Sequence, residues 1–240
     1  MNVVISQSML FPWVGMLEQV SLADCFVHYD DVQFSKGSFV NRVQIKTAKG
    51  VRWMTVPLKN RSLGQSIDEV EFAPVSSWRD NHIELLKKSF EGARFAEDAL
   101  EIASNVYSIE YPNIGSLARA SLLSLIKYFS LDKSKSFIDV KELGIEGSSS
   151  LRVLEIVKRL GGTTYITGLG ALKYLDHTLF EKHGISVRYM KYRCCPYSQL
   201  HGEFTPYVSG LDLIANYGKE GIRYICSEAV DWRRLVNESH

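Results

Sequence analysis

The chain has 240 residues, 45% apolar and 23% charged, an ordinary soluble composition and enough chain to bury a core without disulfide or metal. Lys and Arg total 28 against 27 Asp and Glu, a net charge of +1. That balance argues against a broad basic face for nucleic acid but leaves room for a local anion site. The four cysteines (Cys25, Cys194, Cys195, Cys226) form no C-x-x-C pair and read as cytosolic thiols. Met1-Asn-Val-Val-Ile-Ser has no basic segment leading into an apolar one, and no apolar run approaches a membrane span. The expectation is a cytoplasmic protein with no membrane span.

Val3-Val-Ile5 reads as a short buried strand. Pro12 breaks the pattern, Trp13 to Ala23 has helical spacing, and Cys25 to Tyr29 is β-rich. A strand, helix and strand in under thirty residues suit parallel pairing, with ligands at the strands' C-terminal ends, here Gln7 and Asp30-Asp31. Val43 and Ile45, a turn at Ala48-Lys49-Gly50, and Val51 to Val56 form a predicted hairpin. Arg61 to Ser66 reads as loop and Ile67 to Phe72 as strand. Helices are predicted over Trp78–Phe90, capped by Ser76-Ser77, over Phe95–Tyr107, and over Ile114–Phe129. In the last, Leu117, Ala120, Leu123, Ile126 and Phe129 recur at every third position. Ser148 to Ser150 cap a helix from Leu151 to Leu160, and Gly161-Gly162 stops it. Thr163–Thr167 is a strand, Gly168-Leu-Gly170 a turn, Ala171–Phe180 a helix and Ile185–Tyr192 a strand. Ser209 opens a final helix that Gly218 closes. The fold class is α/β, Rossmann-like or otherwise mixed, with a mainly parallel sheet and a helical insert at about 76–130.

Two polar clusters can carry chemistry. The first is Gln7, Asp30, Asp31, Gln33, Lys36, Asn41 and Arg42. Adjacent carboxylates at a strand end face different ways, so one can act as a general base while the other caps a turn, or both can simply end the strand. Lys36 and Arg42 suit a phosphate or carboxylate, or equally a solvated hairpin face. The second cluster is Tyr197, Gln199, His201, Phe204, Ser209 and Asp212, a loop leading into a capped helix. His28, His82, His177, His183, His201 and His240 are scattered without metal-ligand spacing, so no metal site is expected. His82, one turn after Trp78, is a second candidate base. Walker A, dinucleotide-fingerprint and G-x-S-x-G patterns are absent. The two end segments are expected to bring Asp30, Asp31, Asn41, Arg42, Tyr197 and Gln199 round one pocket.

Several ordered pieces are shared with one family. They are Gln7 to Gly15, Ala23-Asp24-x-Phe26-Val27, Asp30-Asp31-Val-Gln33-Phe34, Asn41-Arg42, and Trp78 with His82. Further along come Tyr165-Ile-Thr-Gly168, Tyr174-Leu175-Asp176, Phe180 with Gly184-Ile185-x-Val187, Tyr197-x-Gln199, Phe204-x-Pro206, Ser209, Asp212 and Asn216-x-Gly218. The sequence resembles the WbqC-like protein family over nearly its whole length, as one domain spanning 1–240. Ser8 departs from the pattern, where a proline is usual. The resemblance implies a role in bacterial surface-polysaccharide (O-antigen) biosynthesis, as a transferase of an aminoacyl or other acyl group to the amine of a nucleotide-linked amino sugar. It implies small-molecule partners, the nucleotide sugar and an acyl donor, with no cofactor and no nucleic acid. On that reading Asp30 or Asp31, with His82 behind them, take the amine proton. Asn41 or Gln199 serve an acyl oxyanion, Arg42 and Lys36 a pyrophosphate, and Phe11, Trp13, Phe34 or Tyr197 stack on a sugar or base. The alternatives are a nucleotide-binding, adenylate-forming enzyme and a non-catalytic partner in glycan assembly.

Overall fold

The computed structural model describes residues 1–60 and 62–238. Arg61, the start of the predicted loop, and His240 lie outside the described residues. Eight strands and eight α-helices follow one another along them. These are β1 (Asn2–Ser6), α1 (Val14–Leu22), β2 (Cys25–His28), β3 (Arg42–Thr47), β4 (Gly50–Thr55), α2 (Arg79–Phe90), α3 (Ala96–Tyr107) and α4 (Ile114–Tyr128). The chain then continues through β5 (Ser136–Asp139), α5 (Ser149–Arg159), β6 (Thr164–Thr167), α6 (His177–Lys182), β7 (Ser186–Met190), α7 (Gly210–Tyr217), β8 (Ala229–Asp231) and α8 (Trp232–Glu238).

The main sheet runs β5-β2-β1-β6-β7-β8, parallel except for the antiparallel edge strand β8. Counting only its strands in chain order, this is 3-2-1-4-5-6, the order of the doubly wound Rossmann sheet. The fold is therefore α/β and Rossmann-like. β3 and β4 pair as a separate hairpin, and together with α2–α4 they fill the connection between β2 and β5.

Central parallel strands are buried on both faces, so they read as continuous apolar runs. Alternate side chains serve two cores. Val4, Phe26, Ile166 and Met190 pack against α1, α4 and α7 on one face. Val3, Ile5, Val27, Val187 and Tyr189 pack on the other with Val153, Leu154, Ile156 and Val157 of α5 and Phe180 of α6. On α4 the buried stripe is Ile114, Leu117, Ala118, Ser121, Leu122, Leu125 and Ile126. That is the i, i+3, i+4, i+7 row of a 3.6-residue period; Ala120 and Leu123 of the every-third pattern stand at its margin.

Three predicted elements change. Ile67–Phe72 is no strand but begins as a 3-10 turn, Ile67–Glu69, because Ser66 and Glu69 form a reciprocal capping box. Ala171–Phe180 is not one helix. A 3-10 turn, Leu169–Lys173, ends first, and Asp176 Oδ1 accepts from Leu179 N (3.1 Å) to start α6 afresh. Ser76 and Ser77 do not cap α2 but lie in or beside a 3-10 turn, and Trp78 is the residue at the cap. The short edge strands β5 and β8 carry no sequence signal of their own.

Two buried histidines bear on stability. His82 donates from Nε2 to Thr55 O (3.1 Å) and accepts the Tyr107 hydroxyl at Nδ1 (3.0 Å). Burial holds its pKa down to about 4, and that of His28 down to about 3. A histidine depressed in the folded state contributes stability that is present above the unfolded value near 6.5 and lost as pH falls toward the folded value. Each should cost roughly 2 kcal/mol between pH 7 and pH 5. Burial pushes Asp30 the other way, above the usual carboxyl range, so a variant isolates the effect. Urea unfolding at both pH values should show a fall in stability smaller by about 2 kcal/mol in His82→Gln than in wild type; equal falls would contradict this origin.

Candidate functional site

β1 and β6 lie side by side, and their connections leave for opposite faces, β1 into α1 and β6 toward α6. That divergence opens a crevice at the strands' C-terminal ends, the place where open α/β sheets bind ligands. A cleft of ≈ 390 Å³ lies there. Gln7 and Met9 line it from the loop after β1, Tyr29 and Val32 from the segment after β2, and Thr167, Gly168 and Tyr174 from that after β6. Gln19 of α1 and Tyr192, beyond β7, complete its wall. No lining residue is charged.

The loop between β1 and α1 is pinned from every side. Ser8 N donates to Asp30 Oδ1 (2.8 Å) and Ser8 Oγ to Asp30 Oδ2 (2.7 Å). Phe11, at φ 36°, donates from its N to Ser121 Oγ and accepts Ser209 Oγ at its carbonyl. These contacts hold it in the left-handed region, which a non-glycine residue rarely adopts. Arg119 Nη2 donates to the same Asp30 Oδ2 (2.9 Å) while its Nη1 reaches Asp139 Oδ2 (2.6 Å). His28 Nδ1 is 3.0 Å from Ser8 Oγ. The hydroxyl has one proton and Asp30 accepts it, so the ring contact is satisfied by the Nδ1–H tautomer. His28 Nε2 is then left buried without a partner.

Asp30 and Asp31 diverge, as adjacent strand-end residues must. Asp30 is 1% exposed and turned into this interior network. Asp31 keeps its side chain 18% exposed and is gripped by both Arg152 nitrogens at 3.1 and 2.5 Å. Arg152 also donates from Nε to Ile145 O (3.0 Å) and lies over the Tyr29 ring. Asp31 adjoins the lining residue Val32 in the chain and is not itself among the residues that line the cleft.

The remaining candidates stand elsewhere. Asn41 is buried and donates to Val56 O (3.0 Å). Arg42 forks onto Gly37 O (3.1 and 2.5 Å) and stacks on Trp53 at 4.1 Å. Gln33 and Lys36 are exposed. Gln199 Oε1 accepts from Lys46 Nζ (3.1 Å) and Thr205 N (2.8 Å), while Tyr197 donates to Asp212 Oδ1 (2.9 Å). Burial raises Asp212 to about 6. His82 is committed to Thr55 and Tyr107 in the helical layer. Of the six residues expected round one pocket, Tyr197 and Gln199 line a shared recess beside α7, and none of the six lines the cleft between β1 and β6.

Sequence reasoning missed Arg119, Arg152, Gln19 and Tyr192. Two had signals. Arg119 and Lys127 are the only charges in α4, and Arg119 sits amid its apolar stretch. Arg152 lies near the N-terminus of α5, where the helix dipole disfavours a cation. Each instead meets a carboxylate across the chain.

One feature of the dinucleotide fold is replaced. There the first helix's N-terminus receives the pyrophosphate. Here the Trp13 indole lies on Gly15 in the first turn of α1, so close that a Cβ at Gly15 would stand 2.1 Å from the ring. The same indole packs against Tyr192 and Tyr207.

Residues 7–224 match the WbqC-like protein family. The chain belongs to this family. This WbqC-like chain is also 30% identical over 227 residues, 93% of its own length and 97% of the relative's, to the uncharacterized protein Rv1507c of Mycobacterium tuberculosis. No solved structure matches. In this WbqC-like protein both donors of Ser8, its backbone N–H and its hydroxyl, are used on Asp30. Among the described residues no helix is long and apolar enough to cross a membrane, and no group of three or more His, Cys, Asp or Glu side chains is placed to hold a metal.

The Trp13–Gly15 contact is testable by a double-mutant cycle. Gly15→Ala should destabilise by roughly 1–3 kcal/mol through overpacking. In a Trp13→Ala background most of that cost should vanish. An equal cost in both backgrounds, read from urea unfolding, would remove the indole as its cause.

Proposed function

We propose that this protein acts in bacterial surface-glycan assembly by binding a nucleotide-linked amino sugar in the cleft between β1 and β6 and transferring an acyl or aminoacyl group to its amine. The observation that supports this most is the cleft itself, an uncharged, amide- and tyrosine-lined crevice at the switch point of the sheet. Asp31 is the base in this reading, because it adjoins the lining residue Val32 in the chain and Arg152 fixes its orientation. Asp30 is enclosed by Ser8 and Arg119 and orients the cleft's floor instead. The amine nitrogen attacks the acyl carbon of an activated donor and an N–C bond forms. The donor's leaving group departs with its electron pair, and the amine proton passes to Asp31. A nucleotide-linked substrate places the reaction in the cytoplasm. Adenylate formation fits less well, because Trp13 covers the helix end that would hold phosphates.

The test is incubation with nucleotide-linked amino sugars and activated acyl donors, read by mass spectrometry for the amide. Asp31→Asn should lower turnover by about 10²–10⁴-fold while sugar binding persists. No amide with any donor, together with stable association with another protein of glycan assembly, would replace this reading by the scaffold one.

A further inference from the structure

Gln19 is a polar side chain of the cleft that is almost wholly buried and has no hydrogen-bond partner among the described residues. It is 4% exposed, on the buried face of α1, and lines the cleft. Its carboxamide makes no hydrogen bond among the described residues, although other buried polar side chains of this region, Ser8, Asp30 and Thr167, are all paired. The fully enclosed unpaired atoms are His28 Nε2 and Ser38 Oγ, so the residual exposure of Gln19 opens toward the cleft. Any partner for this carboxamide must therefore come from the cleft, whether water or a ligand's polar edge.

We infer that Gln19 reads the hydrogen-bonding edge of a nucleobase. This rests on the proposed reading of the cleft as a nucleotide-sugar site and names which part of that ligand enters it. A primary carboxamide offers one acceptor and donors side by side. A nucleobase edge presents a donor and an acceptor side by side as well, so both bonds form at once. The N–H and C=O of a sugar's N-acyl group point in opposite directions and cannot both meet one carboxamide. Tyr174 and Tyr192 line the cleft wall, and aromatic side chains of this kind pack against flat rings. The uncharged lining suits the base and not the diphosphate, which then points out through the mouth.

The experiment is titration calorimetry of the full chain with uridine, adenosine and free N-acetylglucosamine, with Gln19→Met as the variant. A nucleoside should bind the wild type. Gln19→Met should weaken that binding about tenfold or more and leave the melting temperature unchanged or higher. N3-methyluridine, whose edge has lost its donor, should bind the wild type more weakly than uridine, a check that needs no variant. The inference is overturned if N-acetylglucosamine binds and nucleosides do not, if no nucleoside binds, if N3-methyluridine binds as well as uridine, or if Gln19→Met binds nucleoside like the wild type. Nucleoside binding without any amide product would keep this inference and remove the proposed reaction. Amide formation on a nucleotide-linked amino sugar, with no free nucleoside bound, would do the reverse.

Discussion

The Asp30 carboxylate, buried at the end of β2, is the constraint on which the rest of the architecture around the cleft depends. A carboxylate taken out of water must be surrounded by donors. It takes them from two distant parts of the chain: two from Ser8 in the loop after β1, and a charged pair of bonds from Arg119 of α4. Arg119 extends the link to Asp139 at the end of β5, and Lys141 beyond it pairs with Asp68. Asp68 N in turn donates to the Asp30 carbonyl (3.0 Å). The helical layer is thereby locked to the C-terminal edge of the sheet. Removing either partner would leave an uncompensated charge in the interior, the expensive way to break such a pair.

That lock determines the shape of the cleft. The loop carrying Gln7 and Met9 cannot relax toward solvent, since Ser8 and Phe11 on either side of Met9 are fixed by Asp30, Ser121 and Ser209. Asp31 turns away from that network and is held by Arg152. Trp13, covering the first turn of α1, replaces a phosphate cradle with an aromatic surface. The outcome is a Rossmann-like crevice lined by amides, tyrosines and apolar side chains, with no charged residue in its lining.

The second polar cluster is bound into the fold by its own contacts. Lys46, buried on β3, donates to Gln199 and to the carbonyls of Gly202 and Glu203, while Tyr197 and Asp212 join the same loop to α7. These residues share the sequence traits of a site, polar groups among aromatics in a loop. Their hydrogen bonds are nevertheless satisfied within the chain, and they fasten the hairpin to the loop before α7. Asn41 and Arg42 are similar, spent on Val56 and Gly37. Composition alone cannot separate a polar side chain that awaits a ligand from one that closes a loop, because both need the same atoms.

The sequence by itself determined the elements with strong local periodicity. Val3-Val-Ile5 and Cys25 to His28 had to be strands buried on both faces, and Ile114 to Tyr128 had to be a helix with one apolar stripe. Those patterns depend on neighbours within a turn or a pleat. It also determined the family through motifs spread along the chain. Only the tertiary structure decided the strand order, the pairing of β5 and β8, and the separate fates of Asp30 and Asp31. It alone left Gln19 unpaired beside the cleft while pairing Gln199. Each of these depends on contacts between residues from 20 to more than 150 positions apart, such as Ser8 with Asp30, Arg119 with Asp30 and Lys46 with Gln199. Burial and partner satisfaction, which settle whether a polar group is free to bind, exist only once those contacts have formed.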